Sequence, residues 1–202
     1  MKREGIILII SAPSGAGKTS LCNGLLKRFP NMRESVSYTT RAPRPGEMNG
    51  RDYFFVSRDE FQSMIDDDAF AEWAQVHGNY YGTALLTIEE ARKSGVDLVL
   101  DIDCQGGRRL KEQIEGCIFV FILPPSMDEL RRRLEGRSSD APEVIDLRLK
   151  HAAAEIREAR WYDYIIINDR FETALDELSA IVTAHGRKAS RMLDQVAKSF
   201  DI

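Results

Sequence analysis

The sequence predicts an α/β sandwich built around a mostly parallel sheet. Three observations carry that expectation. Short apolar runs recur at residues 6–10, 98–102, 118–123 and 164–167, the length and composition of strands buried on both faces. Stretches with helical spacing of apolar residues separate or follow them. The first run passes directly into a glycine-rich loop and then a helical stretch, the strand–loop–helix order of α/β domains.

Taken in order, residues 6–10 (IILII) form the first strand, and a helix over 18–29 places Leu21, Leu25 and Phe29 on one face before Pro30 stops it. Residues 36–95 break the alternation. They hold short β-like pieces, "SVSYTTR", "DYFFV" and "HGNYYGT", and two small helices whose starts have capping-box spacing at Ser57/Glu60 and Thr87/Glu90. The strand at 98–102 precedes a helix over 108–114, and the strand at 118–123 precedes a charged, helical segment over 126–160. That segment has capping-box spacing at Ser126/Glu129 and Asp140/Glu143. The last strand, 164–167, leads to a helix over 172–185 with Leu175, Leu178 and Val182 on one face. The tail is helical in pattern, with Met192, Val196 and Phe200 aligned. Both interrupting segments read as insertions at the carboxyl edge of the sheet, where open α/β folds bind ligands.

A chain of 202 residues with 43% hydrophobic and 30% charged residues fits one large domain or one domain with insertions, soluble and with a substantial core. A formal net charge of −4 argues against a general nucleic-acid binder. The three cysteines, Cys22, Cys104 and Cys117, are widely spaced and form no C-x-x-C pair, as suits free thiols in a reducing cytosol. The start "MKREGIILIIS" mimics a signal peptide, but its apolar run is short and a glycine-rich loop follows where a cleavage site would stand. No other run approaches a spanning helix, so the expected location is cytoplasmic.

Residues 12–19 read A-P-S-G-A-G-K-T against the Walker A pattern G-x-x-x-x-G-K-[ST]. Only Ala12 departs, and alanine is tolerable there if the residue ends the strand with negative φ. Around Pro13, Ser14 and Ala16, Gly15 and Gly17 let the backbone turn its N–H groups toward phosphate oxygens. Lys18 supplies a mobile positive charge, and Thr19 offers a hydroxyl to Mg²⁺ at the positive end of a helix. The run "LVLDID" supplies the companion acids, Asp101 and Asp103. They flank Ile102 and so share a face, and a carboxylate there holds Mg²⁺ directly or through water. The expected ligand is therefore a nucleoside triphosphate with magnesium.

The loop does not name the acceptor. A GTPase would carry an N-K-x-D motif, for which "NDR" at 168–170 is no substitute, and a motor would need coupling machinery that so short a chain has no room for. A small-molecule kinase needs a second anion site. "SVSYTTRAPRPGEMNGRDYFFV" supplies one, with Arg41 and Arg44 in a loop stiffened by Pro43 and Pro45, and Tyr53 on a following strand.

With "SAPSGAGKTSL", "FAEWAQVHGNYYGT", "LVLDIDCQG", "FILPPS", "RRRLEGR" and "IIIND" in the same order and spacing, the sequence resembles the guanylate kinase family, in its bacterial stand-alone form, over roughly residues 4–184. The resemblance implies a P-loop NTPase three-layer sandwich with a five-stranded, mostly parallel sheet. It divides the chain into a core (4–35, 96–125 and 161–184), a GMP-binding insertion (36–95) with short strands, a helical lid (126–160) and a helical tail (185–202). It implies that Arg41, Arg44, Tyr53 and Tyr81 hold the GMP phosphate. Glu72 would read guanine N1–H and the 2-amino group, and Ser37 and Thr83 would donate toward O6. Position 83 carries Thr where many relatives have Ser, and the hydroxyl survives. Glu47, Asp101 and Asp103 match further acidic positions at this pocket. Arg133, Arg137 and Arg148 match phosphate-contacting lid arginines, and Asn168 is expected near the ATP adenine.

The implied reaction is in-line transfer of the γ-phosphate of MgATP to GMP, with Lys18, Arg41, Arg137 and Arg148 neutralising the moving group. Two alternatives stand beside it: a sugar-phosphate kinase of the same fold, and a non-catalytic guanylate-kinase-like binding module. His77, His151 and His185 lack metal-ligand spacing, and Cys104 reads as an inert thiol with oxidation sensitivity as the other reading. Oligomeric state stays open, as does tolerance for dGMP.

Overall fold

The computed structural model of the chain describes residues 3–76, 78–136 and 141–201, without the side chains of 194 and 195. The chain begins β1 (Ile7–Ser11), α1 (Lys18–Arg28), β2 (Met32–Glu34) and then enters the first insertion. There it forms β3 (Tyr38–Thr39), β4 (Phe54–Phe55), α2 (Arg58–Asp66), β5 (Phe70–Val76), β6 (Asn79–Ala84) and α3 (Leu85–Ser94). Returning to the core it forms β7 (Asp97–Asp101), α4 (Cys104–Gln113) and β8 (Ile118–Leu123). The helices α5 (Met127–Glu135) and α6 (Pro142–Arg157), a 3₁₀ turn (Glu158–Trp161), β9 (Tyr164–Ile167), α7 (Phe171–Gly186) and α8 (Ala189–Phe200) complete it.

The central sheet has five strands in the order β2-β7-β1-β8-β9, and every neighbouring pair is parallel. With β1 in the middle, its alternating residues serve two cores. Leu8 and Ile10 pack with Leu21, Leu25, Leu175 and Leu178 of α1 and α7. Ile7 and Ile9 pack with Ile88, Leu100, Leu110 and Phe121 on the α3/α4 side. This is why the strand reads as an unbroken apolar run: both faces are covered.

The sheet differs from the sequence pattern at both edges. β9, expected to be buried on both faces, buries only Ile166 and exposes Tyr164, Ile165 and Ile167, because no strand covers its outer side. β2 is Met-Arg-Glu with only Met32 buried, too short and too polar to register as an apolar run. α4 likewise begins at Cys104, earlier than the expected 108, because Gly106 and Gly107 interrupt its apolar spacing. Of the capping boxes, Ser57/Glu60 forms both bonds. Ser126 accepts from the Glu129 N–H at 3.1 Å, but the Glu129 carboxylate turns to Arg132 and Arg133. Thr87/Glu90 does not cap: α3 starts at Leu85, and its N-cap Ala84 offers no side-chain bond. Asp140 lies outside the described residues, and α6 opens on Pro142 after Ala141, where proline's missing N–H costs nothing.

The first insertion carries its own sheet, β4-β3-β6-β5. β5 and β6 form an antiparallel hairpin that pairs Glu72 with Thr83, and Phe61 stacks on Phe70 and Tyr80 beneath it. β5 also packs on α4 of the core. The second insertion has a separate small core in which Leu130 and Leu134 of α5 meet Ile145, Leu149 and Ala152 of α6. Among the described residues no helix is long and apolar enough to cross a membrane.

Candidate active site

The glycine-rich loop leaves the central strand at Ser11. Among the described residues only Asp68 and Asp201 are non-glycine residues with positive φ, so Ala12 has the ordinary backbone that makes its side chain tolerable. Gly15 and Gly17 adopt φ of 92° and 96°, a region costly for residues with a Cβ. Gly17 is the N-cap of α1 and brings no side-chain bond to it, leaving the helix dipole to act on an anion in the loop.

The loop is held from outside as well. Asn168, just beyond β9, donates its Nδ2 to the Ala16 carbonyl at 2.8 Å and is itself buried. A Cβ on Gly17 would collide with that same nitrogen. Arg133 of α5 donates to the Asn168 carbonyl at 2.8 Å, reaches the Ala16 carbonyl at 3.5 Å and pairs with Glu129. The resemblance assigns Asn168 to adenine and Arg133 to phosphate. Here the Asn168 amide and the Arg133 guanidinium both brace the loop, because its turn leaves the Ala16 carbonyl needing a donor and these two groups reach it.

Ala12, Pro13, Ser14, Gly15, Gly17, Lys18 and Thr19 line a cavity together with Glu155 of α6. Ala16 points the other way, into the core. Glu155 is a residue that sequence reasoning misses, although it lies two helical turns beyond Arg148 and so on the same face. Burial raises its carboxyl pKa and Asp103 adds to the effect, with Lys18 opposing. Lys18 forms an ion pair with Asp101 and donates to the Ile102 carbonyl at 3.3 Å. Arg148 is half-buried on α6, while Arg137 lies outside the described residues, as does His77.

A neighbouring cleft contains Thr19, Ser37, Glu47, Tyr53 and Asp101. Arg41 presents Nη2 to both Glu47 oxygens at 2.9 and 3.0 Å, and the Arg44 N–H donates to the same carboxylate at 2.7 Å. These bonds hold the Glu47 carboxyl below its usual range. The Arg41 guanidinium stands 5.4 Å over the Tyr53 ring, whose centroid is 6.0 Å from that of Tyr81. The Arg44 residue is exposed.

Ser37, Tyr53 and Asp101 also line a third cavity, with Glu72, Tyr81 and Asp103. Thr19 thus joins the first cavity to the second, and Ser37, Tyr53 and Asp101 join the second to the third. At the far end Glu72 is only 7% exposed, and the Thr83 hydroxyl donates to its Oε1 at 2.7 Å. Burial pushes its carboxyl up to about 7; the Thr83 bonds and Arg109 oppose that, and Asp103 reinforces it. The resemblance has Thr83 donate toward a base. Fully buried, it spends its one proton on Glu72 instead and orients that carboxylate. Asp103 caps α4 by accepting from the Gly106 N–H at 2.8 Å.

Among the described residues no three His, Cys, Asp or Glu gather into a metal cage. Mg²⁺ binds through phosphates and water with one or two protein donors; Thr19 and Asp101, which line one cleft, are donors of that kind. The cysteines are unpaired with one another, and burial pushes the Cys104 thiol up to about 11. That favours the inert reading over the oxidation-sensitive one.

Residues 4–185 match the family model described as "Guanylate kinase". The chain is 60% identical to the guanylate kinase of Geobacter sulfurreducens and 59% identical to that of Geobacter metallireducens, each over the full length of both chains. A crystal structure of guanylate kinase from Anaplasma phagocytophilum superposes with a TM-score of 0.76 at 39% identity, covering 100% of this chain and 98% of that one. A phosphate loop joined by one cleft to a buried carboxylate, and these matches over the whole length, lead to the same conclusion: the chain belongs to the guanylate kinase family.

Proposed function

We propose that the chain transfers the γ-phosphoryl group of MgATP to GMP, giving ADP and GDP, and that the residues of the joined cavities divide the work as follows. The single observation that carries the assignment of roles is adjacency: three neighbouring cavities that share lining residues run from the Lys18 loop, past Thr19 and Asp101, to Glu72. ATP phosphates lie in the loop, against its N–H groups and the α1 N-terminus. Guanine lies at Glu72, which in its ionised form accepts from N1–H and the 2-amino group. Adenine has no such donors and would leave a buried carboxylate unpaired, which is costly.

Between them, an oxygen of the GMP phosphate attacks the γ-phosphorus in line. The bond to the β,γ-bridging oxygen breaks, and its electron pair leaves on ADP. Lys18 exchanges Asp101 for the transferring group. Arg41 exchanges Glu47 for the GMP phosphate, with Arg44, Tyr53 and Tyr81 completing that site. The Thr19 hydroxyl and the Asp101 carboxylate would hold Mg²⁺, which when bound would supply positive charge to the triphosphate. Arg148 and Arg137 add positive charge from the lid, and closure of the insertion (36–95) and the lid (126–160) excludes water from the transfer. Free thiols and the nucleotide substrates fit a cytoplasmic enzyme.

A sugar-phosphate kinase would share the loop but has no use for a buried, oriented carboxylate at the base end. A non-catalytic module would have no use for Lys18 and Thr19 beside Asp101. The test is ADP formation from MgATP offered GMP, AMP, CMP and UMP in turn. Turnover with GMP far above the other three is the expected result, and turnover with none of them overturns the reading.

A further inference from the structure

Gly106 occupies the first turn of α4, facing the Glu72 carboxylate. Its backbone does not require glycine, since it is absent from the positive-φ residues, and alanine is the better helix former at such a position. The requirement comes from across the gap. A Cβ on Gly106 would stand 2.7 Å from Glu72 Oε2, 3.2 Å from its Cδ and 3.4 Å from Asp103 Oδ1. Carboxylates often swing away from such a contact at little cost. Glu72 has no such freedom, because it is buried and its Oε1 is held by Thr83 at 2.7 Å in paired strands. Yielding to a methyl group would break the Thr83 bond or turn the carboxylate out of the cavity.

We propose that Gly106 is a specificity-determining positioning residue: the bare backbone at the first turn of α4 is what lets Glu72 stand where it can read the base. This rests on the reading of Glu72 as the guanine acceptor. It gives α4 a second role beside packing. The turn that Asp103 caps, immediately after the strand bearing Asp101, sets selectivity at the opposite end of the cleft from the phosphate loop.

The test compares Gly106→Ala, Glu72→Gln, Glu72→Asp and the Gly106→Ala/Glu72→Asp pair, reading KM for GMP, for inosine monophosphate (which lacks the 2-amino group) and for ATP. Gly106→Ala is expected to raise KM for GMP by about tenfold or more and to narrow the preference for GMP over inosine monophosphate. KM for ATP should stay within about twofold, since only guanine binding is touched. Aspartate is one methylene shorter and withdraws from the added methyl, so the pair should bind GMP no worse than Glu72→Asp alone. Additive losses in the pair would overturn the proposal, as would equal damage to both substrates by Gly106→Ala. If Glu72→Gln leaves GMP binding and selectivity intact, the reading of Glu72 itself is at fault. If Glu72→Gln is impaired and Gly106→Ala is normal, only the role of Gly106 is wrong. Should Gly106→Ala fail to fold, recovery of a folded chain in the pair supports the collision, and failure of both overturns it.

Discussion

On the proposed assignment of roles, the two ends of the cleft recognise their ligands by opposite means. At the phosphate end the instruments are backbone groups: left-handed Gly15 and Gly17, the α1 N-terminus, and one mobile lysine. They come from eight consecutive residues, 12–19. At the base end the instrument is a single carboxylate, buried and oriented by Thr83 from a second strand and given room by Gly106 from a helix of the core. Phosphate is the same on every nucleotide, so a continuous run of N–H groups suffices to hold it. A base must be told from its rivals, and that takes side chains converging from separated segments.

The difference is open to direct attack. Lys18→Ala removes the loop's own side-chain charge and should lower kcat by about 10²–10³-fold or more, with the fold intact by circular dichroism. Near-normal turnover in the folded variant would deny the lysine its role. Glu72→Gln should raise KM for GMP by roughly 10²-fold or more while leaving KM for ATP alone. A matching rise for ATP would mean that the two ends are not independent.

The same substitution has a pH signature. The folded-state pKa of Glu72, about 7, lies above the ordinary 4.5. The stability linked to its proton is therefore present below the unfolded value and is lost as pH rises through 7. Glu72→Gln should accordingly be more stable than the parent at pH 8, by roughly 1–3 kcal/mol, with the gain shrinking toward pH 5 in thermal melts. In the parent, KM for GMP should climb as pH falls below about 7. A profile flat from pH 8 to pH 5 would contradict the need for an ionised carboxylate.

Asn168→Ala removes the brace on the Ala16 carbonyl and leaves it buried without that partner, at a cost of about 1–3 kcal/mol. KM for ATP should rise severalfold and KM for GMP should not. Smallest of all, Ala12→Gly should change KM for ATP by less than about twofold, since Ala12 has no positive φ to relieve. A large effect would mean that the side chain at position 12 touches the ligand.

The contrast also explains which residues declare themselves in the sequence and which do not. Strands β1, β7 and β8 announce themselves because burial on both faces demands unbroken apolar runs, whereas edge strand β2 needs only Met32 and stays silent, and the other edge strand, β9, reads as apolar although only its Ile166 is buried. Gly15, Gly17, Lys18 and Thr19 are legible because their chemistry is local. Glu72 and Tyr81 look like any acid and any aromatic until family resemblance places them, since what distinguishes them is the surrounding fold. Thr83, Asn168 and Arg133 go to ligands by that resemblance, yet each bonds to the protein here. Which partner takes a hydrogen bond depends on distances that no spacing rule contains. Glu155 and Gly106 escape notice because one is a charge on a charged helix and the other a glycine without an unusual backbone.

The pairing of Lys18 with Asp101 bears on how the loop treats the small anions that surround it. A lone lysine at a helix N-terminus would be a trap for any passing orthophosphate. Paired, it must be won from its carboxylate, and a stray anion that wins it strands a negative charge beside its own. A triphosphate arriving with its cation offers a substitute to each partner at once, the phosphate to the lysine and the cation to the aspartate. The ion pair therefore raises the cost of giving up Lys18 to a lone anion, since that exchange leaves the Asp101 charge without its partner.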